Sequence, residues 1–217
     1  MSLQYVLEVF FIIKWIFLDI GSTIVDESYC EDIRIQETLI QLNSPSKEAF
    51  IERMKYNAML NKDAYKTTLT DYNLNKCKWR LEYEKLYPKV KDVLEILHTK
   101  YKLGIIANQS IGLKKRLSNY GITKYFALII SSAEAEISKP SLEIFELALN
   151  EAFCTPSEAI MVGDRIDNDI ILAQLIGMKT VWIRQGYGGF GSIKVLEKKP
   201  DFIVERFEEL LEIDFNH

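Results

Sequence analysis

Met161-Val162-Gly163-Asp164-Arg165-Ile166-Asp167-Asn168-Asp169 joins a short apolar run to a cluster of acids. An apolar run of that length, closed by glycine and carboxylates, reads as a buried strand with polar groups at its end. Three upstream segments give it partners. Asp19 follows Trp15-Ile16-Phe17-Leu18. Asn108 follows Leu103-Gly104-Ile105-Ile106-Ala107. Lys139 stands in Ser138-Lys139-Pro140. In a parallel α/β sheet, residues that close strands gather at the carboxyl edge, where ligands bind. Carboxylates and one lysine at that edge suit Mg²⁺ and a phosphoryl group, because hard cations take oxygen ligands.

The rest of the chain supports such a sheet. Further strand runs are Ile12–Leu18, Ala127–Ile130, Ile160–Val162, Thr180–Ile183 and Phe202–Val204, alongside Leu103–Ala107. Helical patterns lie between them at Lys89–Lys100, Leu142–Ala152 and Asp169–Ile176. Strands separated by helices imply right-handed crossovers and a doubly wound parallel sheet, a Rossmann-like core. Residues 28–87 carry no strand signal. Helices are expected there at Glu31–Leu42, Lys47–Leu60 and Leu74–Leu86. This gives a core of residues 11–27 and 88–217, an inserted helical unit of 28–87, and an extension, 1–10, with no assigned role. The cluster Gly186-Tyr187-Gly188-Gly189-Phe190-Gly191 reads as a flexible turn, since it opens no helix as a phosphate loop would.

Composition narrows the function. The 217 residues are 48% hydrophobic, enough for a sizeable core, and the net charge of −4 comes without basic blocks. Nucleic-acid binding therefore has no electrostatic support. Cys30, Cys77 and Cys154 are odd in number and far apart, which fits a reducing, cytoplasmic setting better than a disulfide framework. With only His98 and His217, a zinc site or a Ser-His-Asp triad is hard to build. The apolar amino terminus holds Glu8, Lys14 and Asp19. It reads neither as a membrane span nor as a signal peptide.

In order and spacing the four segments resemble the haloacid dehalogenase superfamily, over roughly residues 12–213. The inserted helices resemble the cap of its subfamily I. The resemblance implies a Mg²⁺-dependent phosphatase acting on a small phosphorylated metabolite. Asp19 would be the nucleophile that takes the phosphoryl group, and covalent catalysis by a carboxylate is established chemistry. Lys139 would steady the nucleophile and the phosphate charge. Asp19, the Gly21 carbonyl, Asp164 and Asp169 would serve the metal, Asp169 indirectly. Ala107, Asn108 and Lys139 would face the phosphate.

Two positions depart from the family pattern. Gly21 stands where a second Asp usually protonates the leaving group, a service typically worth about 10²–10⁴-fold. Its absence predicts a preference for aryl and acyl phosphates over alkyl phosphates. Ala107 stands where a Ser or Thr usually binds phosphate, with the Asn108 side chain or Ser110 as substitutes. These departures keep open an alternative: a Mg²⁺- or phosphate-binding protein of low turnover that acts as a sensor or partner-binding module. Dehalogenase chemistry uses the same nucleophile without a metal, but the acidic cluster would repel a haloacid anion. Arg165 could pair with Asp167 or point into the cleft, but a solvated side chain is the plainer expectation. The sequence gives no oligomeric state.

Overall fold

The computed structural model of the chain describes residues 12–194 and 196–216. The amino-terminal extension, residues 1–10, lies outside them. Along the chain run β1 (Trp15–Leu18), β2 (Val25–Asp26), α1 (Ser28–Leu39), α2 (Lys47–Met59), α3 (Ala64–Tyr72), β3 (Lys85–Leu86), α4 (Val90–Leu97) and β4 (Lys102–Ala107). There follow α5 (Leu113–Asn119), β5 (Phe126–Ser131), α6 (Ser132–Ala135), α7 (Glu143–Ala152), β6 (Ala159–Gly163), α8 (Ile171–Leu175), β7 (Lys179–Ile183) and β8 (Phe202–Val204). Six strands form one sheet in the order β5-β4-β1-β6-β7-β8. Every neighbouring pair in it is parallel.

The sheet is covered on both faces, and β1 shows why its sequence is apolar throughout. Successive side chains of a strand point to opposite faces. Ile16 and Leu18 enter a core with Val90, Val93, Leu94 and Leu97 of α4. Trp15 and Phe17 enter another with Ile144, Phe145 and Ala148 of α7. All four residues of β1 are buried. Each large side chain so buried contributes roughly 1.5–3 kcal/mol relative to exposure. The strand begins at Trp15 rather than Ile12, because Ile12 is exposed whereas Trp15 is in register with Lys102 and Ala159.

The chain lays β4 and β5 on one side of β1, then returns to place β6, β7 and β8 on the other. The reversal falls between β1 and β6, and a crevice opens at such a reversal beyond the carboxyl ends. Asp19 and Asp164 follow those two strands directly. The helix expected at Asp169–Ile176 instead opens as a wide π-type turn over Ile166–Ile170, followed by α8.

Between β2 and β3, which pair antiparallel as a short ribbon, lie the inserted helices α1 to α3. They share their own apolar cluster of Ile35, Phe50, Met54, Ala58, Ala64, Tyr65 and Leu69. The third helix is a correction to the sequence reading. It occupies Ala64–Tyr72, not Leu74–Leu86. Asp63 caps its start by accepting from Lys66 N at 2.9 Å, and Asn73 ends it in the left-handed region. Residues 74–80 are irregular, and β3 takes Lys85–Leu86. No helix among the described residues is long and apolar enough to cross a membrane.

Candidate active site

Three strand-closing segments and the loop that carries Lys139 meet at the crevice. Asp19 is fixed beside β6 by its own N–H, which donates to the Val162 carbonyl at 2.9 Å. Lys139 reaches across beneath it. Its Nζ donates to Asp19 Oδ1 at 2.6 Å, to Asp169 Oδ1 at 2.6 Å and to the Ile106 carbonyl at 3.0 Å. An ammonium has three protons, and all three are used. The Lys139 side chain is only 2% exposed. Asn108 holds its backbone from both sides: Nδ2 donates to the Lys139 carbonyl at 2.8 Å, and Oδ1 accepts from its N–H at 2.9 Å.

The Asn108 side chain is thus spent on positioning Lys139. Ala107 is fully buried under the strand end and brings no polar group. Ser110 Oγ accepts from Arg116 at 3.1 Å.

Asp19, Asp164 and Asp169 each offer an oxygen within 4.8 Å of the others. Asp169 is satisfied by protein, its second oxygen accepting from Arg165 N at 3.0 Å. Asp164 is different. Its carbonyl accepts from Trp182 Nε1 at 2.7 Å, which fixes the backbone, but its carboxylate receives no hydrogen bond from the described residues. Three carboxylates face one buried ammonium, so negative charge is in excess. Burial raises the Asp19 pKa to about 6, against the pull of Lys139. Burial, with Asp169 and Asp19 nearby, pushes Asp164 well above the carboxylate range. Lys139 is held charged: burial opposes the charge, but Asp169 and Asp19 outweigh it. An all-oxygen donor set with surplus negative charge fits a hard divalent cation such as Mg²⁺.

The loop after Asp19 turns back sharply. Ile24 and Val25 both donate to the Ile20 carbonyl at 2.9 Å, and Ser22 N donates to the Val25 carbonyl at 2.8 Å. Ser22 takes a positive φ of 52° in that turn. The turn brings Glu27 over Gly21, a juxtaposition the sequence reading did not contain. Glu27 is half-buried in the same cleft. Burial, then Glu84, Asp19 and Glu31, raise its pKa to about 8.

The cleft measures about 1690 Å³ and is lined by both the strand ends and the inserted helices. On the helical side Arg34 lies 3.6 Å from the Tyr65 ring centre and 4.5 Å from that of Trp79, and pairs with Glu31 at 2.6 Å. Polar links tie the inserted helices to the core, among them two at the cleft. Asn61 and Ser192 exchange two hydrogen bonds of 2.8 Å. Arg165 reaches Asp63 at 3.3 Å while pairing with Asp167 at 2.5 Å. Arg165 therefore makes the pairing with Asp167 that the sequence allowed, and bridges to Asp63 rather than standing solvated. The glycine cluster is also corrected. It is a packed loop: a Cβ at Gly188 would lie 2.2 Å from Asp164 Oδ2, and Tyr187 packs against the helical cluster.

Fold and site together define a parallel α/β protein with a lysine-braced acidic centre at its strand reversal, under a helical insertion. The chain belongs to the haloacid dehalogenase-like hydrolase family, whose model matches residues 15–183. It is 33% identical over 137 residues to the glyceraldehyde 3-phosphate phosphatase of Methanopyrus kandleri, covering 62% of this chain and 58% of that protein. To the pyrophosphatase PpaX of Bacillus velezensis it is 31% identical over 137 residues, 61% of this chain and 59% of that one. The chain thus spans just over half the length of the curated relatives it matches. The HAD-hydrolase YfnB of Bacillus subtilis, solved bound to magnesium, shares the fold with a TM-score of 0.68 at 19% identity, over 93% of this chain and 98% of that one.

Proposed function

We propose that the protein is a Mg²⁺-dependent phosphatase that acts on a small phosphorylated metabolite through an aspartyl phosphate on Asp19. The observation that carries this is the bracing of Asp19 by Lys139 at 2.6 Å, beside two further carboxylates, in a cleft lined by the strand ends and the inserted helices. The relatives point the same way, since those named above act on phosphorylated small molecules.

Asp19 attacks phosphorus with the oxygen that Lys139 does not hold. Lys139 keeps that carboxylate ionised and oriented, and its charge offsets the growing negative charge on the phosphoryl oxygens. Asp19, the Gly21 carbonyl and Asp164 would hold Mg²⁺, with Asp169 behind them because both its oxygens already accept from protein. When bound, the ion supplies charge neutralisation for phosphoryl transfer. The main-chain N–H of Asn108 is left to face phosphate, its side chain being committed to Lys139. Residues 28–87 act as a cap whose closure excludes water from the phosphoryl site. The free cysteines fit a reducing compartment, and we place the protein in the cytoplasm.

The test is a panel of phosphorylated metabolites, assayed with Mg²⁺ and with a chelator, for the natural chain and for Asp19→Asn. Release of phosphate that needs Mg²⁺ and disappears in the nearly isosteric variant is expected. Wild-type turnover by folded Asp19→Asn would remove Asp19 as nucleophile.

A further inference from the structure

We propose that Glu27 is the general acid and base of this active site, taking over in space the role of the carboxylate that Gly21 lacks. The inference rests on the phosphatase reading above and deepens it. A Cβ at position 21 would lie 2.6 and 2.7 Å from the two Glu27 carboxylate oxygens and 2.8 Å from Cδ. Those atoms fill the volume into which an aspartate at position 21 would grow. The missing side chain and the carboxylate are therefore alternatives for one place. The loop that returns at Val25 supplies from position 27 what position 21 does not.

A structural role for this carboxylate finds little support. Glu27 stands at the start of α1, yet its side chain caps no helix N–H. Among the described residues its carboxylate accepts one hydrogen bond, a long one from Ser22 Oγ at 3.4 Å. The nearby cations are otherwise engaged, Arg34 with Glu31 and Lys139 with Asp19 and Asp169. A half-buried, weakly bonded carboxylate in the cleft, just past the turn that follows the nucleophile, is placed for proton transfer.

The chemistry balances. As an Asp19 oxygen bonds to phosphorus, the bond from phosphorus to the ester oxygen breaks and leaves its electron pair on that oxygen. The Glu27 carboxyl gives it a proton, and the alcohol departs. Glu27, now a carboxylate, takes a proton from water as the water oxygen bonds to phosphorus and the phosphorus–Asp19 bond breaks. Phosphate is released, and Asp19 and the Glu27 carboxyl are restored. Alkyl phosphates, whose leaving groups need that proton most, become accessible. The preference for aryl and acyl phosphates implied by Gly21 alone is lifted.

The experiment uses the full chain with Mg²⁺ and compares p-nitrophenyl phosphate with glycerol phosphate. The readout is kcat/KM, which reports the step that breaks the ester bond. Glu27→Gln is expected to lower kcat/KM for glycerol phosphate by about 10²–10⁴-fold, and for the aryl ester by less than about tenfold. An equal loss on both esters, or no loss, overturns the assignment. A reciprocal variant guards against a Glu27→Gln chain that does not fold. Gly21→Asp combined with Glu27→Ala should recover at least about tenfold on glycerol phosphate over Glu27→Ala alone, because the new carboxylate occupies the vacated place. No recovery overturns the assignment as well. A natural chain inert on every ester tested would sink the phosphatase reading and this proposal together, whereas an active chain with unselective losses would sink only Glu27.

Discussion

The carboxyl edge of the sheet and the helical insertion above it are held by different forces. At the edge, Lys139 is 2% exposed, every proton of its ammonium is bonded, and its backbone is clamped by Asn108. Asp169 has both oxygens satisfied. The insertion keeps its own apolar cluster and meets the core through Tyr187 and through polar contacts, Asn61 with Ser192 and Arg165 with Asp63, and it leaves Tyr56 and Met59 about half exposed. A centre that must orient a nucleophile gains from rigidity. On the phosphatase reading, a cover that admits substrate gains from contacts that water can replace.

The sharpest way to break this contrast is Lys139→Met. It removes the one ammonium between Asp19 and Asp169 and strands two carboxylates in a buried site. Removing one partner of a buried charge pair costs about 3–5 kcal/mol, so thermal unfolding of the chelated protein should shift far down. Turnover should fall by at least about 10²–10³-fold, the scale of losing one donor aimed at developing charge. An unchanged midpoint would mean that the edge is not the rigid part of the molecule.

Asn61→Ala probes the cover. It deletes two hydrogen bonds of 2.8 Å, each contributing roughly 0.5–1.5 kcal/mol net. If those bonds favour the closed arrangement, KM should rise by roughly five- to a hundredfold. The unfolding midpoint should move far less than in Lys139→Met, because no buried charge is exposed. A large loss of stability with an unchanged KM would show instead that these bonds hold the fold together.

The same contrast explains what the sequence made legible. The sheet strands are short apolar runs buried on both faces, and such runs announce themselves without knowledge of their neighbours. Asp19, Asn108 and Asp164 were visible because they close those runs. The insertion was harder. Leu74–Leu86 has helical spacing, but the signals that place α3 are the Asp63 cap and the left-handed Asn73, which bound Ala64–Tyr72. Arg165 with Asp63 joins residues 102 positions apart, and no local pattern encodes that. Glu27 was hidden for a subtler reason. It lies near Gly21 in sequence, yet the turn at Ile20–Val25, with Ser22 in the left-handed region, is what folds it back over the glycine.

A last test concerns Glu27 again, now through stability. Burial and the surrounding acids raise its pKa from 4.5 to about 8 in the folded protein. Between those values the folded chain holds a proton that the unfolded chain has released. Stability therefore falls as pH rises wherever the folded state binds more protons. This contribution is lost progressively from about pH 4.5 to about pH 8 and is constant above. Glu27→Gln carries no such proton. In chelated protein, the unfolding midpoints of the two chains should lie close together near pH 4.5 and separate as the pH rises to about 8.5, with the variant the more stable. Asp19 and Asp164 also titrate abnormally and sense the Glu27 charge, so the difference between the curves reports Glu27 together with its coupling to them. Parallel curves would mean that the Glu27 carboxylate is solvated well enough to ionise normally, and the contrast between a dry edge and a wet cover would then begin at Glu27 itself.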